Sequence, residues 1–70
     1  MKNKNKLLLH IGEKIREARK EKHLSQEELA DIAGVHRTYI GMIERGEKNI
    51  SILSLEKIAV ALELSTKDLL

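Results

Sequence analysis

The fold of this chain is decided by residues 25–46, which read SQEELADIAGVHRTYIGMIERG. Ser25 and Glu28 have the spacing of a capping box, in which each side chain binds a backbone N–H near the other residue. Gly34 falls where the chain must turn sharply, and glycine adopts a positive φ without steric cost. The segment therefore predicts two short helices, at about residues 25–33 and 36–45, on either side of a tight turn.

The second of these helices is predicted to have an apolar inner face and a mixed outer face. Ile40 and Ile43 point inward, whereas the outer face holds Arg37, Thr38, Gly41, Met42 and Arg45. Two short helices joined by a glycine turn are a common way for a small protein to place a helix in the major groove of DNA. Gly41 either allows close approach of the backbone to DNA or is simply tolerated there.

Apolar residues recur at helical spacing both before and after this motif. The residues of these two stripes are Leu8, Ile11, Ile15 and Ala18, and then Leu55, Ile58, Ala59 and Leu62. Ser51 is the predicted cap of the later helix, and a second capping box, Ser65 with Asp68, opens a short last turn. No segment alternates with the period of a strand. The sequence predicts an all-α, compact five-helix domain over residues 7–70.

The first six residues, MKNKNK, are polar and basic, and they are predicted to form a flexible tail. One interpretation is a solvated, disordered segment. The other is a basic arm that contacts phosphates or lies in a minor groove.

Composition excludes several classes of protein. Without cysteine the chain has no disulfide or thiolate metal site, and its three histidines lack the spacing of metal ligands, so we expect no metal and no cofactor. A chain of 70 residues has a core too small to enclose a substrate cavity, so we expect neither an enzyme nor a small-molecule effector site. No apolar run approaches the roughly 20 residues that span a bilayer, and we expect a cytoplasmic protein without a membrane partner.

The net charge of +2 permits nucleic-acid binding but is not evidence for it. Evidence for such binding must come from where the charged residues lie. Arg37 and Thr38 stand at the N-terminal end of the outer helix, which enters the groove first in this motif. The guanidinium of Arg37 can donate two bonds to guanine, and Thr38 can bond a base or contact a thymine methyl. Met42 either contacts a thymine methyl or fills the core.

Other side chains are predicted to hold the DNA backbone. Gln26 starts the first helix, whose N–H groups and dipole favour an anion, although it also fits as a solvated helix former. His36 is a poor helix cap, so it either contacts DNA or is tolerated. Tyr39 either packs while its hydroxyl reaches a phosphate or belongs to the core alone. Arg45 and Lys48 fit phosphates better than bases.

Residues 25–46 and the capped helix that follows resemble the helix-turn-helix domains of the phage repressor and Cro class (XRE-like), over residues 11–70. The runs HRTYI (36–40) and IERGEKNIS (43–51) are most similar to controller proteins of restriction–modification systems. The resemblance implies the lambda repressor-like DNA-binding fold. It also implies a homodimer that binds a palindromic operator on double-stranded DNA and regulates its own transcription. The alternatives are a free-standing repressor and a small helical protein-interaction domain.

Particular roles follow from this resemblance alone. It implies that Arg37 and Thr38 read bases and that Lys48 adds a base or phosphate contact. The residues implied to hold the backbone are Gln26, Tyr39, Asn49 and Ser51. A partly buried structural pair is implied between Arg19 of the first helix and Glu44 of the third, and it would fix the angle between those helices.

A dimer is expected because one recognition helix reads only a few base pairs. In the class that the chain resembles, the dimer surface lies around the loop before the fourth helix and the C-terminal helix. The candidates here are Ile50, Ile52, Leu64, Leu69 and Leu70. Each could instead belong to the core, and for Leu64 and Leu69 the core is the favoured interpretation.

Overall fold

The computed structural model describes residues 5–70, which contain four α-helices and a final 3-10 turn. The elements are α1 (Lys6–Glu21), α2 (Gln26–Ala33), α3 (Arg37–Glu44), α4 (Ile52–Ala61) and the turn Thr66–Leu69. The all-α prediction is confirmed, but the prediction of five helices is wrong. Backbone bonds in the last element join residues three apart, as in Asp68 N–H to Ser65 C=O, so a 3-10 turn forms in place of a fifth α-helix.

Helix α1 begins earlier than the sequence analysis placed it. The side chain of Asn5 accepts hydrogen bonds from the backbone N–H groups of Leu7 at 2.8 Å and Leu8 at 3.2 Å. Asparagine is a favoured N-cap because its side-chain oxygen satisfies N–H groups that have no partner within the helix. Asn5 and Lys6 are therefore part of the folded domain, and the remainder of the predicted tail, residues 1–4, lies outside the described residues.

The predicted turn between α2 and α3 is present. Ser25 Oγ accepts from the backbone N–H of Glu28 at 2.9 Å, and the Glu28 carboxylate accepts from the backbone N–H of Ser25 at 2.7 Å. Gly34 ends α2 with a φ of +75°, in the left-handed region that favours glycine. The bounds of α2 and α3 agree with the predicted helices to one residue at each end, since the predicted ranges included the caps.

Helices α1 and α4 end in the same way. Each is followed by a non-glycine residue with positive φ, His23 at 58° and Glu63 at 61°. The next residue is a leucine, Leu24 or Leu64, whose N–H bonds back to the carbonyl five residues earlier. A serine that opens the next element then follows in both places. The two connections, HLS (23–25) and ELS (63–65), are therefore built alike.

The core lies where α1, α2, α3 and α4 meet, and the final turn closes one end of it. Aliphatic side chains supply its volume, and the buried ones are Ile11, Ile15, Leu29, Ala30, Ala33, Ile40, Ile43, Leu55, Ile58, Ala59, Leu62 and Leu69. Helix α3 packs against both α1 and α2, so its inner face is covered while its outer face stays open. Within residues 5–70, every helix is too short or too polar to cross a membrane.

Candidate nucleic-acid interface

The N-terminal end of α3 presents Arg37 and Thr38 to solvent. Ile40 and Ile43 point into the core, which fixes the rotation of the helix and so turns these two polar side chains outward. The side chain of Arg37 is 67% exposed. Met42 is half-buried, between the outer face and the core. Both residues expected to read bases from the helix start are thus free to approach a groove.

Gly41 is buried, although the sequence analysis placed it on the outer face. A Cβ at this position would lie 3.2 Å from an Arg45 guanidinium nitrogen and 3.4 Å from Gln26 Oε1. The side chain of Gln26 reaches across from α2 and, with Arg45, covers this part of α3. The absence of a side chain at Gly41 therefore leaves room for the side chains of Gln26 and Arg45.

His36 caps α3, contrary to its description as a poor cap. Its Nδ1 accepts from the backbone N–H of Thr38 at 3.1 Å, and its backbone is extended, as at other N-caps. A ring nitrogen here does what a serine oxygen does at the start of α2 and α4. The imidazole is exposed, and a contact from it to DNA stays a prediction.

A carboxylate on α3, Glu44, ties three helices together. Arg19 of α1 donates to it through Nε at 2.6 Å and through a terminal nitrogen at 3.0 Å, and Gln26 of α2 donates at 3.1 Å. Arg19 donates a further bond to the carbonyl of Leu24 at 2.8 Å. The side chains of Arg19 and Glu44 are only 11% and 3% exposed.

The hydrogen bond to Glu44 raises the pKa of Arg19 against the opposing effect of burial, so the guanidinium keeps its charge in this half-buried place. The structure therefore brings Arg19 and Glu44 together, as the resemblance implied. Gln26 joins them, which the sequence analysis did not foresee. Its amide N–H is committed to Glu44, and its predicted contact with phosphate remains a prediction.

The loop after α3 carries the remaining predicted DNA-contacting residues. Lys48 and Asn49 are exposed on it, and Arg45 at its start forms an exposed ion pair with Glu47 at 3.1 Å. Ser51 Oγ accepts from the backbone N–H of Ser54 at 3.1 Å and so caps α4. A hydroxyl that accepts a bond still has a proton to donate, so this cap leaves Ser51 able to bind a phosphate.

Tyr39 is half-buried and packs against the edge of the core. Its ring thus has the packing role that both sequence interpretations included. Whether its hydroxyl also reaches a phosphate is the part that stays a prediction.

The predicted dimer residues separate into three groups by their exposure. Leu69 is fully buried, because the final turn folds this side chain into the core between α1 and α4. Its favoured interpretation as a core residue is confirmed, and its alternative listing as a dimer contact is wrong. Ile50 and Leu64 are half-buried and pack against the core. Ile52 is 70% exposed and Leu70 is 52% exposed, so these two are available to a partner.

Three exposed apolar residues that the sequence analysis did not name line one groove between α2 and α4. They are Leu53 and Val60 of α4 and Ile32 of α2. A signal for Leu53 and Val60 was present in the sequence, because α4 reads ILSLEKIAVA and is apolar on more than one face. A helix that is apolar all round favours burial of both faces.

Sequence and fold comparisons agree with this geometry. The family model described as helix-turn-helix matches residues 15–69. The chain belongs to the helix-turn-helix family.

Similar helix-turn-helix proteins include regulators with curated sequences and solved structures. The control protein C.BamHI of Bacillus amyloliquefaciens is 48% identical over 67 residues, which cover 94% of this chain and 83% of that protein. The structure of the restriction–modification controller protein C.AhdI from Aeromonas hydrophila is 41% identical with a TM-score of 0.88, covering 90% of this chain and 96% of that chain. The structure of SinR, a master regulator for biofilm formation solved in complex with DNA, is 45% identical with a TM-score of 0.81. The match covers 84% of this chain and 95% of that chain.

Two residues that shape this helix-turn-helix surface escaped the sequence analysis. A Cβ on Gly12 of α1 would lie 2.3 Å from the carbonyl oxygen of Ile43, so this glycine lets α1 touch the end of α3. Glu27 of α2 lies 3.6 Å from the guanidinium of Arg37. Neither contact has a signature in local spacing, because each joins residues of different helices.

Proposed function

We propose that this protein is a transcriptional regulator that binds a palindromic operator on double-stranded DNA as a homodimer. It acts in the cytoplasm as the controller protein of a restriction–modification system and regulates its own gene. The observation that carries the proposal is the pair Arg37 and Thr38, exposed at the N-terminal end of a helix that α1 and α2 hold in place. The controller role is supported by the similarity to C.BamHI and C.AhdI.

The proposed contacts divide into reading and holding. Arg37 donates its guanidinium fork to a guanine, and Thr38 and Met42 contact neighbouring bases in the major groove. Lys48 contacts a base or a phosphate from the loop after α3. The residues proposed to bind the DNA backbone are Gln26, His36, Tyr39, Arg45, Asn49 and Ser51.

Two copies are proposed because a single α3 spans too few base pairs to outcompete non-specific DNA. In a dimer with twofold symmetry, two copies of α3 read half-sites about one helical turn apart. Ile52 and Leu70 are the proposed contacts, since both are apolar and exposed in the monomer.

Footprinting on the DNA upstream of the protein's own gene tests the operator and the dimer together. Two protected half-sites beside restriction and methylation genes are the expected result. Protected half-sites without such genes would replace the controller role with that of a free-standing repressor. No protection there, together with affinity for DNA that does not fall steeply between about 50 and 200 mM salt, would overturn DNA binding itself.

Substitution of Arg37 and of Lys48 separates reading from holding. Arg37→Ala is expected to lose about 1–3 kcal/mol on the operator and to relax preference at one base pair. Lys48→Ala is expected to weaken all sequences alike and to lower the salt slope by about one unit if Lys48 binds a phosphate. Unchanged sequence preference in Arg37→Ala would refute its reading role.

A further inference from the structure

Arg37 occupies an electrostatically unfavourable place in its own helix. It is the first residue of α3, where the partial positive charge of a helix N-terminus repels a cation. The first turn of α3 reads RTYI, so it offers no acidic residue to offset this repulsion. The compensating charge comes instead from α2, where Glu27 Oε1 lies 3.6 Å from a terminal guanidinium nitrogen of Arg37.

We propose that Glu27 is a positioning residue that orients the Arg37 guanidinium for reading its base. The inference rests on the proposed function, in which Arg37 contacts a base. An arginine has five N–H donors, of which a two-bond contact with a guanine uses only two. The remaining N–H groups are free to bond the Glu27 carboxylate while the fork faces the groove.

The exposure of the pair points to orientation, with fold stability a minor effect. Both side chains are 67% exposed, and ion pairs so open to water contribute little to stability. A long exposed arginine side chain without a neighbour has many conformations. If a contact already holds it in one of them, less conformational entropy is lost when the side chain binds DNA. The Glu27 carboxylate also repels phosphates, which disfavours a shift of Arg37 onto the DNA backbone.

Three variants separate contact from charge. Glu27→Gln removes the charge, whereas Glu27→Asp keeps it on a shorter side chain that draws the carboxylate away from Arg37. Asp31→Asn is the matched control, because Asp31 lies one helical turn further along the same side of α2, is exposed, and forms no ion pair with Arg37 among residues 5–70.

The experiment measures the affinity of the whole protein, wild type and each variant, for two DNA duplexes. They are the footprinted operator and the same operator altered at the base pair where Arg37→Ala loses preference. Glu27→Gln and Glu27→Asp are both expected to lower discrimination between the two duplexes by about two- to fivefold, the range of an exposed ion pair. Glu27→Gln is also expected to bind non-specific DNA more tightly, and Asp31→Asn is expected to leave discrimination unchanged.

The background variant Arg37→Ala decides whether Glu27 acts through Arg37. With Arg37 removed, Glu27→Gln is expected to have no further effect on discrimination at that base pair. A persisting effect, equal effects of Glu27→Gln and Asp31→Asn, or full discrimination in Glu27→Asp would each overturn the inference. If Arg37→Ala itself keeps full discrimination, the reading role in the proposed function fails too, so the two failures are distinguishable. Matching circular dichroism and urea unfolding show that each variant is folded.

Discussion

Glycine serves two different purposes in this domain. Gly34 has a φ of +75°, and among residues 5–70 nothing lies within 4 Å of the place where its Cβ would be. Its conformation is what requires glycine. Gly12 lies within α1, and there a Cβ would be 2.3 Å from the carbonyl oxygen of Ile43 and 2.8 Å from that of Glu44. Its size is what lets α1 lie against the recognition helix.

The two glycines are expected to respond differently to alanine. Gly34→Ala should cost about 1 kcal/mol of unfolding free energy, because alanine is strained at positive φ. Gly12→Ala should cost more than that, up to about 3 kcal/mol, because backbone at the end of α3 must move away from α1. Urea unfolding of both variants measures the costs, and an equal or smaller loss for Gly12→Ala would contradict the close helix contact.

At the scale of one element, the final 3-10 turn depends on a single carboxylate. Asp68 Oδ2 accepts from the backbone N–H of Ser65 at 3.0 Å and from its hydroxyl at 2.9 Å. These two hydrogen bonds hold the pKa of Asp68 below its ordinary value, and the bond from the backbone N–H of Ser65 has the larger effect. A carboxyl whose pKa is lower in the folded state stabilises the fold above its unfolded pKa. That contribution is lost as pH falls through the folded pKa.

Asp68→Ala is therefore expected to lower stability at neutral pH and to have less effect in acid. Urea unfolding of both proteins at pH 7 and again near pH 2 measures the difference between them. The difference should shrink at the lower pH, because protonation of the wild-type carboxyl as pH falls weakens its bonds to Ser65. Asp31→Ala is the control, as an exposed aspartate outside a cap. A difference for Asp68→Ala that is constant with pH would contradict the ionised capping box.

At the scale of the whole molecule, two adjacent leucines face opposite ways. Leu69 is fully buried in the core, whereas Leu70 is 52% exposed and its carbonyl lies 2.7 Å from Nε2 of His10 on α1. The end of the described chain is thus held against its beginning. The buried neighbour closes the core, and the exposed one faces outward with Ile52 as a candidate contact for a second copy.

Leu69→Ala and Leu70→Ala are expected to affect different properties. Leu69→Ala should lose about 2–5 kcal/mol of unfolding free energy, because it leaves a cavity in the core. Leu70→Ala should change stability of the monomer little but weaken self-association, as should Ile52→Ala. Analytical ultracentrifugation over a range of concentrations, alongside urea unfolding, separates the two effects. A dimer of unchanged affinity in both Leu70→Ala and Ile52→Ala would refute these contacts.

Features encoded within a few residues could be predicted from the sequence. The Ser25 capping box, the Gly34 turn and the spacing of Ile40 and Ile43 each act within one or two turns of chain, so residues 25–46 sufficed for the motif and for the outward position of Arg37. The sequence favoured a core position for Leu69 but left a dimer contact open, because the choice depends on where α1 and α4 pack.

Three other contacts between helices were decided by tertiary structure alone. The bond from Gln26 to Glu44, the approach of Glu27 to Arg37 and the fit of Gly12 against α3 each join residues from different helices. Periodicity shows which face of a helix is apolar, but it carries no information about which residue of another helix stands opposite. The position of α3 and the setting of its first arginine therefore follow from how the helices pack.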